Sequence, residues 1–245
     1  MSLDSKRVLV VGGGSGIGFA VAQACVREGA HVMVASTDLA RVESAAKQLG
    51  DHAAAARLDI TQESDVAKFF AAEKPFDHIV TTAGDWGNGW GTPLAQVELD
   101  AAKRSFDVRF WGALLLAKHG ATKLAAGGSL TLTDGMIAHK PMKQAFVATA
   151  MAGAIEHLTR GLAVELAPIR VNAVCPGLIK SGVWERIPED KRDAQLAAMT
   201  KHLLLPRVGT TSECAEAYLY LLRGSYTTGQ VLYVEGGTAL TGTGR

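Results

Sequence analysis

The run from Val8 to Val11 is unbroken aliphatic sequence, and it stops at a glycine cluster, Gly12, Gly16 and Gly18, that leads into Ala20, Val21, Ala24 and Cys25 at helical spacing. Such a run predicts a strand buried on both faces, as in a parallel sheet. A tight turn straight into a helix leaves the helix's first N–H groups without intrahelical partners, and an end of this kind attracts phosphate. The spacing is G-x-x-x-G-x-G, and a second strand pattern follows from His31 to Ala35. A glycine triplet alone fits any strand-to-helix turn. In this context it predicts a site for the diphosphate of a dinucleotide.

Strand-like runs recur at 7–11, 31–35, 53–58, 77–82, 129–133, 169–174 and 230–234, separated by helical patterns. This alternation predicts the α/β class, with a single-domain, Rossmann-type doubly wound parallel sheet of about seven strands and helices on both faces. A chain of 245 residues is expected to form one such domain over 1–245. Two helices are expected to be long, from Leu99 to Ala125 and from Gln144 to Leu166. Both carry Ala and Leu on more than one face, which calls for cover from within the chain or from another subunit. The segments 85–93 and 181–205 interrupt the alternation after the fourth and sixth strands. Ligands sit beyond the carboxyl ends of parallel strands, so these segments are expected to frame the substrate.

The net charge is +1, without a long basic run, which gives no support to a nucleic-acid or anionic-membrane partner and favours a small-molecule substrate. Cys25, Cys175 and Cys214 are few, odd in number and set in apolar sequence, as expected of buried free thiols in a reducing compartment. The histidines are scattered, and no metal site is expected. Neither a membrane-length apolar run nor a signal pattern is found, so the expected location is cytoplasmic.

Several segments together resemble the short-chain dehydrogenase/reductase family over essentially the whole chain: VGGGSGIG at 11–18, LDIT at 58–61, TTAG at 81–84, FDVRFWG at 106–112, LTRGLAVELAPIRVNAVCPGLI at 158–179, RVG at 207–209 and TTGQVLYVEGG at 227–237. The resemblance implies that Gly12, Ser15, Gly16, Ile17 and Gly18 shape the diphosphate site. It places Asp59 and Ile60 at the adenine, Ala83 and Gly84 at the nearby ribose, and Pro176, Gly177, Ile179 and Ser181 beside the nicotinamide. It also implies a homotetramer. Two departures loosen local support: Val11 stands where the family has Thr, and Thr81 and Thr82 where it has an Asn pair.

At the end of the second strand a carboxylate selects NAD, because it accepts from the ribose 2′-OH and repels a 2′-phosphate. Here the residues are Ser36 and Thr37, with Arg41 one turn into the next helix. NADP is the expected cofactor and NAD the alternative, with Asp38 arguing for NAD unless it serves as the cap of that helix.

In the family, carbonyl reduction uses a Tyr acid, a Lys four residues later, a Ser and an Asn. The corresponding positions hold Ala148, Ala152, Gly135 and Arg109, with Asp134 just before Gly135. All four tyrosines, at 218, 220, 226 and 233, lie far downstream. A positioned acid contributes on the order of 10² to 10⁴ in rate, or about 3 to 5 kcal/mol, so ordinary ketone reduction is expected to be very slow.

A hydride acceptor that already carries positive charge, such as an iminium carbon, needs no proton in the same step. Asp134 would then stabilise the cation and Arg109 would hold the carboxylate, the two being the catalytic candidates. A structural ion pair between them is the competing reading. His139, Lys140 and Lys143 read as loop-surface charges, with Lys143 a candidate surrogate acid. Trp86, Trp90 and Trp184 are candidate walls of a substrate pocket suited to a cation, whereas Trp111 reads as packing. Three functions stay open: an NADP(H)-dependent oxidoreductase with a non-standard site, an inactive NADP(H)-binding sensor or partner subunit, and a non-redox lyase or isomerase.

Overall fold

The computed structural model describes residues 2–84, 91–182 and 188–241. The first strand, β1 (Arg7–Val11), lies between β2 (His31–Ser36) and β4 (Phe76–Thr81), parallel to both. Its side chains alternate between two cores, as period-two geometry requires. Val8 and Val10 pack with α1 (Gly16–Arg27), α2 (Leu39–Leu49) and α8 (Thr211–Arg223) on one face. Leu9 and Val11 pack on the other with α3 (Glu63–Ala72), α5 (Gly112–Gly120) and α6 (Phe146–Glu165).

With β3 (Ala53–Arg57), β5 (Leu124–Thr133), β6 (Arg170–Pro176) and β9 (Val231–Val234), the sheet has seven strands in the order β3-β2-β1-β4-β5-β6-β9. Every pairing is parallel. The chain runs outward from β1 and then returns to the other side of it, so a crevice opens between the carboxyl ends of β1 and β4, where ligands bind in such sheets. This is the doubly wound sheet that the strand patterns predict. Ile179–Lys180 (β7) and Gly209–Thr210 (β8) form a separate short pair flanking α7 (Glu189–Thr200), which the sequence patterns do not anticipate.

The expected continuous helix from Leu99 to Ala125 is broken. It divides into α4 (Leu99–Arg104), a π-helical turn over Asp107–Trp111, and α5, which ends at Gly120. The N–H groups of both Phe110 and Trp111 donate to the Phe106 carbonyl, each at 3.0 Å. That wider turn inserts an extra residue and rotates the side chains around it, a feature often found at functional sites. Arg109 lies inside it. Strand β5 starts at Leu124, earlier than its apolar run implies, because a register irregularity opposite Phe76–His78 joins a Gly-containing segment to it. Trp111 is half exposed, 50%, and not packed away. The three cysteines are buried and free. Among the described residues no helix is long and apolar enough to cross a membrane.

Candidate active site

The glycine turn after β1 is closed by its neighbours. Gly12 has φ +86, and a Cβ there would lie 2.6 Å from the Ala83 nitrogen. A Cβ on Gly18 would lie 2.3 Å from the Gly12 carbonyl oxygen and 2.4 Å from Thr82 Oγ1. Only bare backbone allows α1 to start this close to the strand, which leaves the N–H groups of its first turn facing the crevice. Ser15 is the N-cap of α1 and makes no side-chain cap bond, so its hydroxyl is not committed to the helix. Ile17 is partly buried against the adjoining core, and Ser181 Cβ lies 3.6 Å from a Cβ built on Gly16. The Gly177 N–H donates to the Val234 carbonyl at 2.9 Å, in line with Pro176 at the end of β6.

Along the same edge, the stem of Arg41 lies over Gly14, with Cγ 3.1 Å from a Cβ built there. Asp38 caps α2, its Oδ1 accepting from the Arg41 N–H at 3.0 Å, and its other oxygen lies 3.4 Å from Arg41 Nε. Asp38 therefore has a helix-capping role, as well as a charge that competes for Arg41. Ser36 Oγ donates to the Asp38 carbonyl at 3.1 Å, and Thr37 is exposed. Asp59 Oδ1 accepts from the N–H and hydroxyl of Thr61 at 3.0 and 2.7 Å. Ile60 is buried where the absence of a Cβ on Gly112 admits it. Thr82 Oγ1 donates to the carbonyls of Val11 and Gly12 at 3.3 Å, a local tie in place of the family's Asn.

The positions of the missing acid are sealed as well as substituted. Ala148 and Ala152 are 0% and 1% exposed and pack with Ile137 and Ala145. A phenol at 148 would have to displace one of these side chains.

Arg109 does not pair with Asp134. Its guanidinium packs on Gly84, where a Cβ would lie 2.2 Å from Nη2, and the groups that act on the Asp134 carboxyl are Glu156, Gly135 and Cys175, not Arg109. The expectation that Arg109 holds the Asp134 carboxylate is thereby corrected. The π-helical turn aims the guanidinium toward the end of β4, and Asp134 lies beyond β5 among a different set of groups.

That set is Asp134, His139, Glu156 and Cys175, each offering an oxygen, nitrogen or sulfur atom within 4.8 Å of the others. It is the grouping of metal-ligand type found among the described residues. Asp134 follows β5, His139 follows a short 3-10 turn over Met136–Ala138, Glu156 is on α6, and Cys175 is on β6. His139 Nε2 hydrogen-bonds Glu156 Oε1, and the Tyr233 hydroxyl lies 3.0 Å from the same nitrogen. Arg160 Nη2 reaches the other Glu156 oxygen at 3.4 Å.

Asp134 is 2% exposed. Burial, and then the adjacent Glu156 carboxyl, push its pKa up to about 8, so it is largely neutral at pH 7. Burial also acts to raise Glu156 but is outweighed by His139, Asp134 and Arg160, which hold it below the usual carboxylate range. The Cys175 thiol is pushed up chiefly by burial, so it stays protonated.

His139 is therefore more than a loop-surface charge. Lys140 Nζ donates to the Thr241 carbonyl, and Lys143 is exposed. Trp86, Trp90 and Trp184 lie outside the described residues. Of the four tyrosines only Tyr218 is a core residue; it is fully buried, with its hydroxyl 2.7 Å from Thr133 Oγ1. A cavity of about 190 Å³ between α4 and the start of α6 is lined by Gln96, Ala101, Phe146 and Val147, and by none of the residues of the glycine turn or the acidic cluster.

The model of the enoyl-(acyl carrier protein) reductase family matches residues 12–239. Among curated proteins, the short-chain dehydrogenase/reductase ucsE of Acremonium sp is 37% identical over 257 residues, spanning 97% of this chain and 97% of its own. Among solved structures, a small-chain dehydrogenase in complex with NADPH is 38% identical, with a TM-score of 0.79 over 97% of this chain and 100% of that one. The MalC reductase/Diels-Alderase from Malbranchea aurantiaca superposes with a TM-score of 0.89 at 32% identity, over 97% of this chain and 98% of its own.

Proposed function

The chain belongs to the short-chain dehydrogenase/reductase family, and from that premise we propose that it is an NADP(H)-dependent oxidoreductase whose acceptor is a carbon–nitrogen double bond, as an imine or an iminium ion. The observation that carries this reading is the carboxyl of Asp134, buried against Glu156 so that its neutral form is favoured, beside sealed Ala148 and Ala152. An imine nitrogen is basic enough to take a proton before hydride arrives, and an iminium ion needs none. A ketone oxygen gains its basicity only as hydride is delivered, so it needs an acid held on it in that step.

The glycine turn with its left-handed Gly12 and closely packed Gly18 fits a diphosphate. Arg41, with Ser36 and Thr37, suits a 2′-phosphate, and NADPH is bound by one structural relative. When bound, the nicotinamide supplies the hydride. Asp134 gives its proton to the acceptor nitrogen, and the resulting carboxylate then stands as counter-charge to the iminium. Arg109 would orient the acceptor from the Gly84 side. The segments 85–93 and 181–205 would frame it, with the whole 1–245 acting as one domain. Leu99, Trp111 and Val164, exposed on α4, the π-helical turn and α6, would be covered in a homotetramer.

The test is NADPH binding by fluorescence, followed by loss of NADPH absorbance with a cyclic imine, its N-alkylated iminium salt, and a ketone of matched shape. Both nitrogen substrates should exceed the ketone by about 10² or more in kcat/KM. Equal or faster turnover of the ketone defeats the reading.

A further inference from the structure

Asp134 gives up one proton per turnover under the reading above, and a residue 2% exposed has little direct contact with solvent from which to regain it while the acceptor occupies the site. We propose that His139 and Glu156 form a proton relay from solvent to Asp134, a role that rests on that reading. His139 has a side chain 32% exposed and hydrogen-bonds Glu156 through Nε2. Glu156 is buried, and its carboxyl lies within 4.8 Å of the Asp134 carboxyl.

The transfers balance as proton steps. The Asp134 O–H bond breaks as an N–H bond forms on the acceptor. Glu156, ionised at rest, takes a proton from His139 Nε2 and passes it to the Asp134 carboxylate, and His139 regains its own from water. The Tyr233 hydroxyl, 3.0 Å from His139 Nε2 and 3.5 Å from Glu156 Oε1, holds the junction from the β9 side. The other groups facing these carboxyls are Cys175 from β6, which stays protonated, and Arg160 one turn along α6, which favours an ionised Glu156 at rest. Two neighbouring carboxyls in a low-dielectric site hold one proton between them more readily than none or two. Loss of the Asp134 proton leaves both carboxyls charged, and their repulsion drives Glu156 to take up a proton from His139 and carry it over.

The experiment has two arms, both on the full chain. In the first, His139→Ala and Glu156→Gln are assayed on the neutral imine and on the permanently charged iminium. The relay predicts that each variant slows the imine about tenfold or more beyond any effect on the iminium, and that added imidazole restores the imine rate of His139→Ala. In the second, which needs no turnover, the infrared carbonyl band of the protonated carboxyl is identified by its loss in Asp134→Asn. Its hydrogen–deuterium exchange is then followed after mixing into D₂O. Exchange should slow in His139→Ala and recover with imidazole.

Equal slowing of both substrates, or exchange indifferent to His139, overturns the relay. So does one equivalent of tightly held zinc in the purified protein, since the four donors would then be a metal centre. Wild-type protein that reduces neither nitrogen substrate refutes the proposed function, and the exchange arm then judges the relay alone.

Discussion

The carboxyl ends of β1 and β2 and those of β5 and β6 lie on one edge of one sheet, yet their polar groups are disposed in opposite ways. On the β1–β2 side three polar side chains have local partners: Thr82 ties the glycine turn, Asp38 caps α2, and Asp59 holds Thr61. Charges there are exposed, as suits a surface that receives a phosphorylated ligand. On the β5–β6 side a carboxyl is buried against a second carboxyl and a protonated thiol. Burying a carboxyl costs free energy unless it stays neutral or is well paired. Under the proposed function the first region holds the cofactor and the second retains a labile proton.

Glycine substitutions break the comparison most severely. In a free helix Gly→Ala stabilises by about 1 kcal/mol. Gly153→Ala on α6 should do so, because a Cβ there meets nothing within 4 Å. Gly18→Ala should do the reverse, since its Cβ would fall 2.3 Å from the Gly12 carbonyl oxygen. Opening that contact should destabilise by about 1 to 3 kcal/mol, lower Tm by several degrees, and weaken NADPH binding by about tenfold or more. Calorimetry with a fluorescence titration checks both, and a Gly18→Ala protein that binds NADPH normally removes the diphosphate assignment.

The acidic region is probed by pH. An acid whose folded pKa lies above its unfolded value stabilises fully below the unfolded pKa and loses that contribution as pH rises through the folded one. For Asp134 the window runs from about 4 to about 8, with a slope of at most about 1.4 kcal/mol per pH unit. Glu156, held low, acts in the opposite sense, its contribution being lost only as pH falls below the ordinary carboxylate range. Asp134→Asn should therefore melt close to wild type near pH 4 and several degrees above it at pH 8. Parallel curves across that interval would mean that Asp134 is already ionised.

The two regions also differed in how far sequence reveals them. The β1–α1 turn is local: strand, glycines and helix are consecutive, and a short unbroken aliphatic run that stops at glycines reads as a buried strand. The acidic cluster draws on residues 134, 139, 156 and 175, whose meeting depends on how α6 lies against β5 and β6. One signal was available. Ala148, Ala152 and Glu156 follow at intervals of four, so they share the face on which the family's Tyr and Lys would sit, and a carboxylate on that buried stripe marks Glu156 as a residue with a purpose. The π-helical turn was hidden because Phe106 to Trp111 reads as ordinary helix by composition. The break arises from a backbone carbonyl accepting two N–H groups, which side-chain pattern does not encode.

The smallest expected effect lies back on the cofactor side, where Asp38 both caps α2 and holds Arg41. Asp38→Asn retains an acceptor for the Arg41 N–H, and asparagine caps as well as aspartate does, so Tm should hardly move. What changes is charge. The carboxylate 3.4 Å from Arg41 Nε is removed, and a 2′-phosphate no longer competes with it or is repelled by it. Both side chains are at least half exposed, which limits such an interaction to about 1 kcal/mol or less. NADPH should therefore bind about two- to fivefold more tightly, while NADH, which lacks the phosphate, should gain nothing. Screening should erase the difference near 1 M salt, where the Debye length falls to about 3 Å. An equal gain for both cofactors would show that the Asp38–Arg41 pair lies away from the 2′ position and leave the choice of cofactor to Ser36 and Thr37.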